Sequence, residues 1–247
     1  MAEDISRSEE VHPPLGYLLD AHDGGLNPFN YWGDDPIPGI HCPECCSPLD
    51  YDAVGKNVKV RGQNEAFDAD GHLIVSERLR DWCLASGYND VRFPCVNERR
   101  RLYELRPTRV LQVDIERSEP LLSDFCIKCG NFDSYLLGRG TFLYDISKPL
   151  PDGIYRTDLV FGCRLGKHYL VIVGPVTREK MLAEKLRGLQ FRALPAIDPH
   201  FERRKAEGIK SDAWWRRKQR AMERLRRMRA RKGIVDESQP TTKLFRA

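Results

Sequence analysis

Two short stretches, Cys42-Pro43-Glu44-Cys45 and Cys126-Ile127-Lys128-Cys129, decide the fold of this 247-residue chain. The Cys-x-x-Cys spacing lets two thiolates reach one metal ion from a tight turn, and two such turns complete a tetrahedral four-thiolate zinc site. Because 80 residues separate the two stretches, the fold as a whole has to bring them together. We therefore predict one structural zinc ion, held by Cys42, Cys45, Cys126 and Cys129.

Other interpretations of these cysteines stay open, namely a thioredoxin-like redox pair and thiols without metal. A redox pair ordinarily opens a helix after a strand, whereas Pro48 closely follows the first pair and neither pair begins a helical pattern. His41 and Cys46 flank the first pair and are alternative ligands; Cys46 stands where Gly130 follows the second pair. The remaining three cysteines lie in apolar surroundings and are predicted to be small buried side chains: Cys83, Cys95 and Cys163.

A strand–helix–strand pattern follows each pair and repeats without gaps at an offset of 98 residues, over 72–93 and 170–191. Ser76 is a good N-cap for the first helix and Gly87 a good residue to follow its end. In the second unit Gly174 caps the helix and Pro175 takes its first position. The repetition predicts two duplicated halves, each a zinc knuckle followed by a strand, a helix and a strand.

Between the halves, residues 102–105 and 110–115 alternate apolar and polar on either side of Pro107, which predicts two strands. Residues 158–161 are predicted to form a further short strand. The fold class expected is α+β. One zinc-binding body spans 26–196, with halves of about 26–100 and 101–196. It is preceded by a poorly ordered segment, 1–25, and followed by a basic helical tail, 197–247, which is expected to end in a disordered segment.

The formal charge of +4 conceals an uneven distribution along the chain. Residues 201–232 contain 14 basic and four acidic residues, a charge of +10, so the rest of the chain carries −6. The tail pattern predicts an amphipathic helix from Asp212 to Gly233. Its candidate partner-binding residues are Trp214, Trp215, Arg216, Arg217, Arg220, Arg224 and Arg227. This helix could pack on the body, bind nucleic acid through phosphate contacts and stacking, or dock an acidic protein; surface binding to a membrane ranks below these.

No stretch reaches 18 apolar residues, so no membrane span is expected, and the acidic start of the chain lacks the apolar region of a signal peptide. We therefore expect a cytoplasmic protein. The sequence also contains no pattern that requires catalysis. Gly138-Arg139-Gly140 extends to neither phosphate-binding glycine motif, and four cysteine ligands would leave the metal no open position. The expectation is a protein that is not an enzyme.

The chain resembles the double-CXXCG motif proteins over residues 26–195. The resemblance is carried by Trp32-Gly33, by the run from Pro38 to Cys45, by Tyr103-Glu104-Leu105 with Pro107, by Cys126 to Gly130, and by the ending 186–194. Cys46 departs from the glycine of the first motif, and the tail has no counterpart in that family. Members of this family include immunity proteins that protect bacteria against toxins delivered by contact with neighbouring cells.

The resemblance implies a zinc-containing protein that neutralises a cognate protein toxin by binding it. The alternative is a zinc-ribbon protein that binds nucleic acid, associated with RNA or the ribosome, through its arginine-rich helix. The second alternative predicts binding that weakens steeply with salt and disappears on deletion of residues 201–232. The first predicts that this deletion leaves a folded, zinc-loaded body.

Overall fold

A computed structural model describes residues 13–21, 31–32, 35–56, 58–60, 62–118, 120–136 and 140–195. Within these residues the chain forms strands and short helices in a mixed arrangement in which sheets dominate. The strands are β1 Gly16–Ala21, β2 Ala66–Ala69, β3 His72–Ser76, β4 Val91–Arg92, β5 Cys95–Asn97, β6 Leu102–Glu104, β7 Arg106–Pro107, β8 Val110–Leu111, β9 Leu121–Phe125, β10 Phe132–Leu136, β11 Ile154–Cys163, β12 His168–Val173 and β13 Leu189–Leu194. The helices are α1 Glu77–Ala85, α2 Ile115–Ser118 and α3 Pro175–Ala183, and a 3-10 turn spans Arg164–Gly166.

The larger sheet has the strand order β13-β1-β12-β11-β10-β9, and β8 pairs in parallel with β11. Strand β1 lies between β12 and β13 and is antiparallel to both. Within the segment 1–25, this corrects the expectation of poor order for Gly16–Ala21 alone, which forms backbone hydrogen bonds along both of its edges. Leu18, Leu19 and Ala21 of this strand are buried, which is the apolar burial that holds it in the sheet.

The smaller sheets carry the first half of the chain. One has the order β2-β3-β6-β5, and β4 pairs with β7 in a separate two-stranded unit. Pro107 lies inside β7, not between two strands. The strand predicted over 110–115 ends at Leu111, because the Asp114 side chain accepts a hydrogen bond from the Arg117 N–H at 3.0 Å and so caps helix α2. The strand predicted over 158–161 is longer, Ile154–Cys163.

Both predicted strand–helix–strand units are present, and α1 and α3 begin 98 residues apart. The Ser76 hydroxyl caps α1 by accepting the Leu79 N–H at 3.3 Å, and Pro175 opens α3 after Gly174. Their strands pair differently, however. Strands β12 and β13 flank β1 in one sheet, whereas β3 and β4 belong to different sheets. That the halves arose by duplication therefore stays a prediction.

One apolar core joins both units. Leu79 and Cys83 of α1, Met181 of α3, Val75 of β3 and Val173 of β12 pack into the same cluster. The helices thus lie against a shared interior, and the two units form a continuous body. Within the described residues, no helix has the length and apolar character needed to cross a membrane.

Two of the three cysteines predicted to be buried are exposed. Cys83 is buried in the core, but Cys95 and Cys163 are exposed. In strand β5 the alternation of faces turns Val96 into the core and Cys95 outward. Helix α3 buries Thr177 and Met181 and leaves Val176 exposed.

Candidate metal centre

The four cysteines of the two Cys-x-x-Cys stretches meet in space. The Sγ atoms of Cys42, Cys45, Cys126 and Cys129 all lie within 4.8 Å of one another. Cys42 Sγ is 3.8 Å from Cys126 Sγ, and Cys45 Sγ is 3.5 Å from Cys129 Sγ. Four sulfurs bound tetrahedrally at about 2.3 Å from one ion would lie about 3.8 Å apart. The predicted ligands therefore have the number and spacing that one four-coordinate metal ion requires.

The two turns that present these sulfurs have the same backbone hydrogen bonds. The Cys42 N–H donates to the Ser47 carbonyl at 2.9 Å, and the Cys126 N–H donates to the Asn131 carbonyl at 2.8 Å. Inside each turn, the N–H of the residue after the second cysteine donates to the carbonyl of the first cysteine, at 2.8 Å and 2.9 Å. The second turn joins β9 to β10, which fixes it to the edge of the larger sheet.

Cys46 and Gly130 occupy the equivalent position of the two turns. Both have positive φ, 60° at Cys46 and 77° at Gly130. Glycine adopts this conformation freely, whereas a residue with a Cβ is strained in it. Cys46 thus fills a place that the geometry suits to glycine, and it does not belong to the four-sulfur group.

His41, the other alternative ligand, also lies outside the four-sulfur group. Its side chain is buried, and Nδ1 accepts a hydrogen bond from the Ile37 N–H at 3.0 Å. Burial lowers the pKa of its imidazole. His41 is therefore a buried neighbour that supports the first turn, with one ring nitrogen already engaged by the backbone.

The thiols of the group influence each other's protonation. Burial acts to raise the pKa of Cys42, but the N–H groups of Cys45 and Glu44 outweigh it and bring the pKa to about 7. Burial raises the pKa of Cys126, and burial together with the nearby Cys45 thiol raises that of Cys129. Four thiolates so close together repel one another, and a divalent cation at their centre would remove that repulsion.

A buried lysine connects the two turns. Lys167 lies between the 3-10 turn and β12 and is 3% exposed. Its ammonium donates to Ser47 Oγ at 2.8 Å and to the Phe132 carbonyl. Burial lowers its pKa, while the neighbouring Cys45 and Cys129 thiols act in the opposite direction. Its positive charge would partly offset the net negative charge of a divalent ion with four thiolates.

A second polar cluster lies beside the metal centre, and sequence reasoning missed it. Glu104 is buried; its carboxylate accepts from His72 Nδ1 at 2.9 Å, from Arg106 Nε at 2.6 Å and from the Tyr31 hydroxyl. The His72 ring stacks on the Tyr31 ring with centroids 3.7 Å apart. Burial alone would raise the pKa of Glu104, but His72 and Arg106 lower it below its usual value.

These missed residues carry little signal in the sequence. Glu104 belongs to an alternating strand in which a carboxylate would ordinarily face solvent, and Lys167 lies in a short connection between strands. Glu104 contacts His72, 32 residues earlier, as well as Arg106 two residues later, and Lys167 contacts Ser47, 120 residues earlier. In the structure Leu102 and Glu104 share the buried face of β6.

Of the predicted site residues, the four cysteine ligands are brought together. The candidate partner-binding residues all lie outside the described part of the chain: Trp214, Trp215, Arg216, Arg217, Arg220, Arg224 and Arg227. No protein-family model matches this chain, and no curated protein matches it. The resemblance to the double-CXXCG motif proteins accordingly stays a prediction.

Proposed function

We propose that this chain is a non-enzymatic, zinc-containing binding protein of the cytoplasm that neutralises a cognate bacterial toxin by direct contact. The observation that carries the metal-binding part is the four-sulfur group formed by two turns with the same hydrogen bonds. The toxin-binding part is carried by the resemblance of residues 26–195 to the double-CXXCG motif proteins, which is an argument from analogy.

Zinc is the ion that suits this donor set best. Thiolates favour soft or borderline metal ions, and a closed tetrahedral shell of four cysteines is typical of structural zinc. Such an ion would act as a cross-link, because it would join the segment that contains Cys42 to the β9–β10 turn that contains Cys126. The proposed role of the metal is thus structural: it holds the two cysteine turns together and so shapes a binding surface, without taking part in a reaction.

Metal analysis of the purified full-length chain tests the first part. We expect close to one zinc per chain, falling to near zero in Cys126→Ser, whereas the exposed Cys95→Ser control keeps its metal. Metal-free protein with four freely reactive thiols at these positions would contradict the proposal.

The toxin-binding part is tested by co-expression with a toxin-like protein encoded beside the gene. We expect the zinc-loaded chain to restore growth and to co-purify with the toxin in a defined complex. Zinc-loaded protein that neither protects nor binds would contradict toxin neutralisation while leaving the metal site intact. The two parts of the proposal can therefore fail separately.

The charge of the tail favours a second candidate function, nucleic-acid binding by residues 201–232, where the formal charge is +10. A full-length variant with Arg216, Arg217, Arg220, Arg224 and Arg227 changed to Gln tests it. Each arginine that neutralises a phosphate adds about 0.7–0.9 to the slope of log affinity against log salt concentration. We expect both the RNA affinity and this slope to fall in the variant if the tail binds nucleic acid. Unchanged RNA affinity would contradict this second function.

A further inference from the structure

A cleft next to the metal centre runs between the larger sheet and the four-stranded sheet. The cleft and the open solvent at its mouth together give an empty volume of about 650 Å³. His72 of β3 and Glu104 of β6 line one side, and Arg156 of β11 and Tyr169 of β12 line the other. Any molecule that fills the cleft would therefore contact both sheets.

The four-stranded sheet contributes an imidazole held in one orientation. His72 Nδ1 is 2.9 Å from Glu104 Oε1, and stacking on Tyr31 fixes the plane of the ring. Since Glu104 is ionised and can only accept, Nδ1 must carry the proton of this hydrogen bond. Nε2 of the same ring is buried and has no hydrogen-bond partner among the described residues. In the neutral ring Nε2 is an acceptor that needs a donor.

The larger sheet contributes a cation held in the same manner. The Arg156 guanidinium lies over the Tyr169 ring at 4.0 Å from its centroid, and its buried Nη1 has no partner among the described residues. Trp32 also lines the cleft, and its buried indole Nε1 likewise has no hydrogen-bond partner among the described residues. Both nitrogens are pure donors, so each needs an acceptor. Leaving such groups unpaired is unfavourable, because burial has removed the water that would otherwise accept from them.

The charge of the cleft favours an anion. Its lining contains four cations and three carboxylates before the histidines are counted: Arg92, Arg106, Arg156 and Lys167, with Asp50, Asp52 and Glu104. Arg106 is paired with Glu104 at 2.6 Å and Arg92 with Asp52 at 3.7 Å. The Lys167 ammonium is already engaged by Ser47 and the Phe132 carbonyl beside the cysteine thiols. Arg156 forms no ion pair with a described carboxylate, so its charge is the one that an anion in the cleft would meet.

We propose that this cleft binds a small oxyanion that carries a hydroxyl group, with hydrogen phosphate and 2-hydroxycarboxylates as its two sources. Oxygen acceptors of the anion pair with Arg156 Nη1 and Trp32 Nε1, and its hydroxyl donates to His72 Nε2. One ligand of this class supplies the acceptors and the donor that the cleft lacks. The site is separate from the four-cysteine centre and does not depend on the identity of any toxin.

Isothermal titration of the metal-loaded full-length chain at pH 7.5 tests the proposal with four probes. Phosphate is compared with sulfate, which has no proton to donate at this pH, and glycolate is compared with acetate, which lacks the hydroxyl. We expect one of the hydroxyl-bearing probes to bind at least tenfold more tightly than its counterpart, and the pair that discriminates identifies the source. Failure of both phosphate and glycolate to bind, or equal binding within both pairs, would overturn the proposal.

Variants assign the contacts. Arg156→Gln should weaken binding of the preferred probe at least tenfold, whereas Arg109→Gln should leave it unchanged. Arg109 makes a comparable contact over the Tyr155 ring, at 4.3 Å, but does not line the cleft. Equal weakening in the two variants would overturn the assignment. If Arg156→Gln does not fold, Trp32→Phe replaces it, since it removes the indole donor, together with part of the ring volume, and keeps an aromatic ring.

His72→Asn tests whether His72 contacts the ligand directly. A purely structural role of His72 would not affect discrimination between probes with and without a hydroxyl group. The asparagine amide can still donate to Glu104, but nothing remains in the place of Nε2. We expect this variant to lose discrimination between the hydroxyl-bearing probe and its counterpart while retaining weak binding of both. Discrimination that persists in a folded His72→Asn variant would overturn the role given to His72.

Discussion

Cys46 has a left-handed backbone conformation at the position that the second turn gives to Gly130. For a residue with a Cβ this conformation costs about 1–2 kcal/mol, while glycine in the unfolded chain has extra entropy worth about 0.4–1 kcal/mol. At both positions the backbone strain of a residue with a Cβ and the unfolded-state entropy of glycine have opposite effects on stability. The strain is the larger of the two. The cysteine at 46 is therefore a stability cost of the first turn that the second turn avoids.

We expect Cys46→Gly to raise the free energy of unfolding by up to about 1 kcal/mol and Gly130→Ala to lower it by about 1 kcal/mol. Denaturant unfolding of the zinc-loaded proteins measures both changes, with metal analysis alongside. Because Cys46 lies outside the four-sulfur group, Cys46→Gly should keep its full metal content. Loss of the metal from this variant would show that Cys46 is a ligand.

Asp68 makes the stability of the fold depend on pH. Burial raises its pKa to about 6, and the neighbouring Asp20 and Asp70 carboxylates add to the shift, against the Gly71 N–H and His72. The unfolded chain loses this proton near pH 4. Between about pH 4 and 6 the native state binds more protons than the unfolded state, so the free energy of unfolding falls as the pH rises through that range.

We therefore expect Asp68→Asn to raise the free energy of unfolding by about 2 kcal/mol at pH 7.5 and by about half as much at pH 5. The asparagine oxygen can still accept the Gly71 N–H, which Asp68 Oδ1 accepts at 3.1 Å. Urea unfolding at both pH values measures the difference. The control is Asp52→Asn, whose side chain is 81% exposed. A gain that is the same at both pH values would contradict this origin.

At the scale of elements, the Lys167 connection between the 3-10 turn and β12 holds the two cysteine turns together. Its ammonium reaches Ser47, directly after the first turn, and Phe132, the first residue of β10 after the second turn. The metal ligands would thus have a second, non-metal link between the same two segments. This arrangement positions the sulfurs before an ion binds.

We expect Lys167→Met to lower the free energy of unfolding by about 2–3 kcal/mol, because a buried hydroxyl and a buried carbonyl would no longer have a charged donor. Zinc transfer to an added chelator should also become several-fold faster. Lys128→Met is the matched control, because Lys128 lies within the second turn but its side chain is 53% exposed. Its ion pair with Glu44 is long, at 3.7 Å, and exposed to solvent, so losing it should lower the free energy of unfolding by less than about 1 kcal/mol. Equal effects of the two substitutions would contradict the linking role.

The elements that the sequence predicted are those with local signals. The hydroxyl of Ser76, the proline at the start of α3 and the Cys-x-x-Cys spacing each act within a few residues, and the structure has all three features. The elements that were missed depend on distant partners. Strand β1 pairs with β12, about 150 residues later, and with β13, about 170 residues later. Its short, mixed sequence gives no indication of that position. The environment of Glu104 likewise depends on His72, 32 residues earlier, as well as on the nearby Arg106.

At the scale of the whole molecule, the metal centre lies outside the main core. The cluster that joins α1, α3 and the two sheets contains Cys83 but none of the four ligand cysteines. The body should therefore survive loss of the metal, with the damage confined to the two cysteine turns and the strands beside them. This separates the proposed zinc site from small zinc fingers, which unfold without metal.

We expect chelation to increase hydrogen exchange at least tenfold over residues 42–47 and 121–136, while the amides of β12 and α3 keep their protection. Mass spectrometry of zinc-loaded and chelated protein measures this directly. Restoring zinc should reverse the change. Global loss of protection on chelation would show instead that the metal is required for the entire fold.

The position of β1 beside β13 has a further consequence for the chain outside the described residues. The Leu15 N–H donates to the Leu194 carbonyl at 3.0 Å, so residues 1–12 and the basic segment after residue 195 are attached to the body at one point. This proximity makes the body suitable for circular permutation, with residues 13 and 195 joined by a short linker.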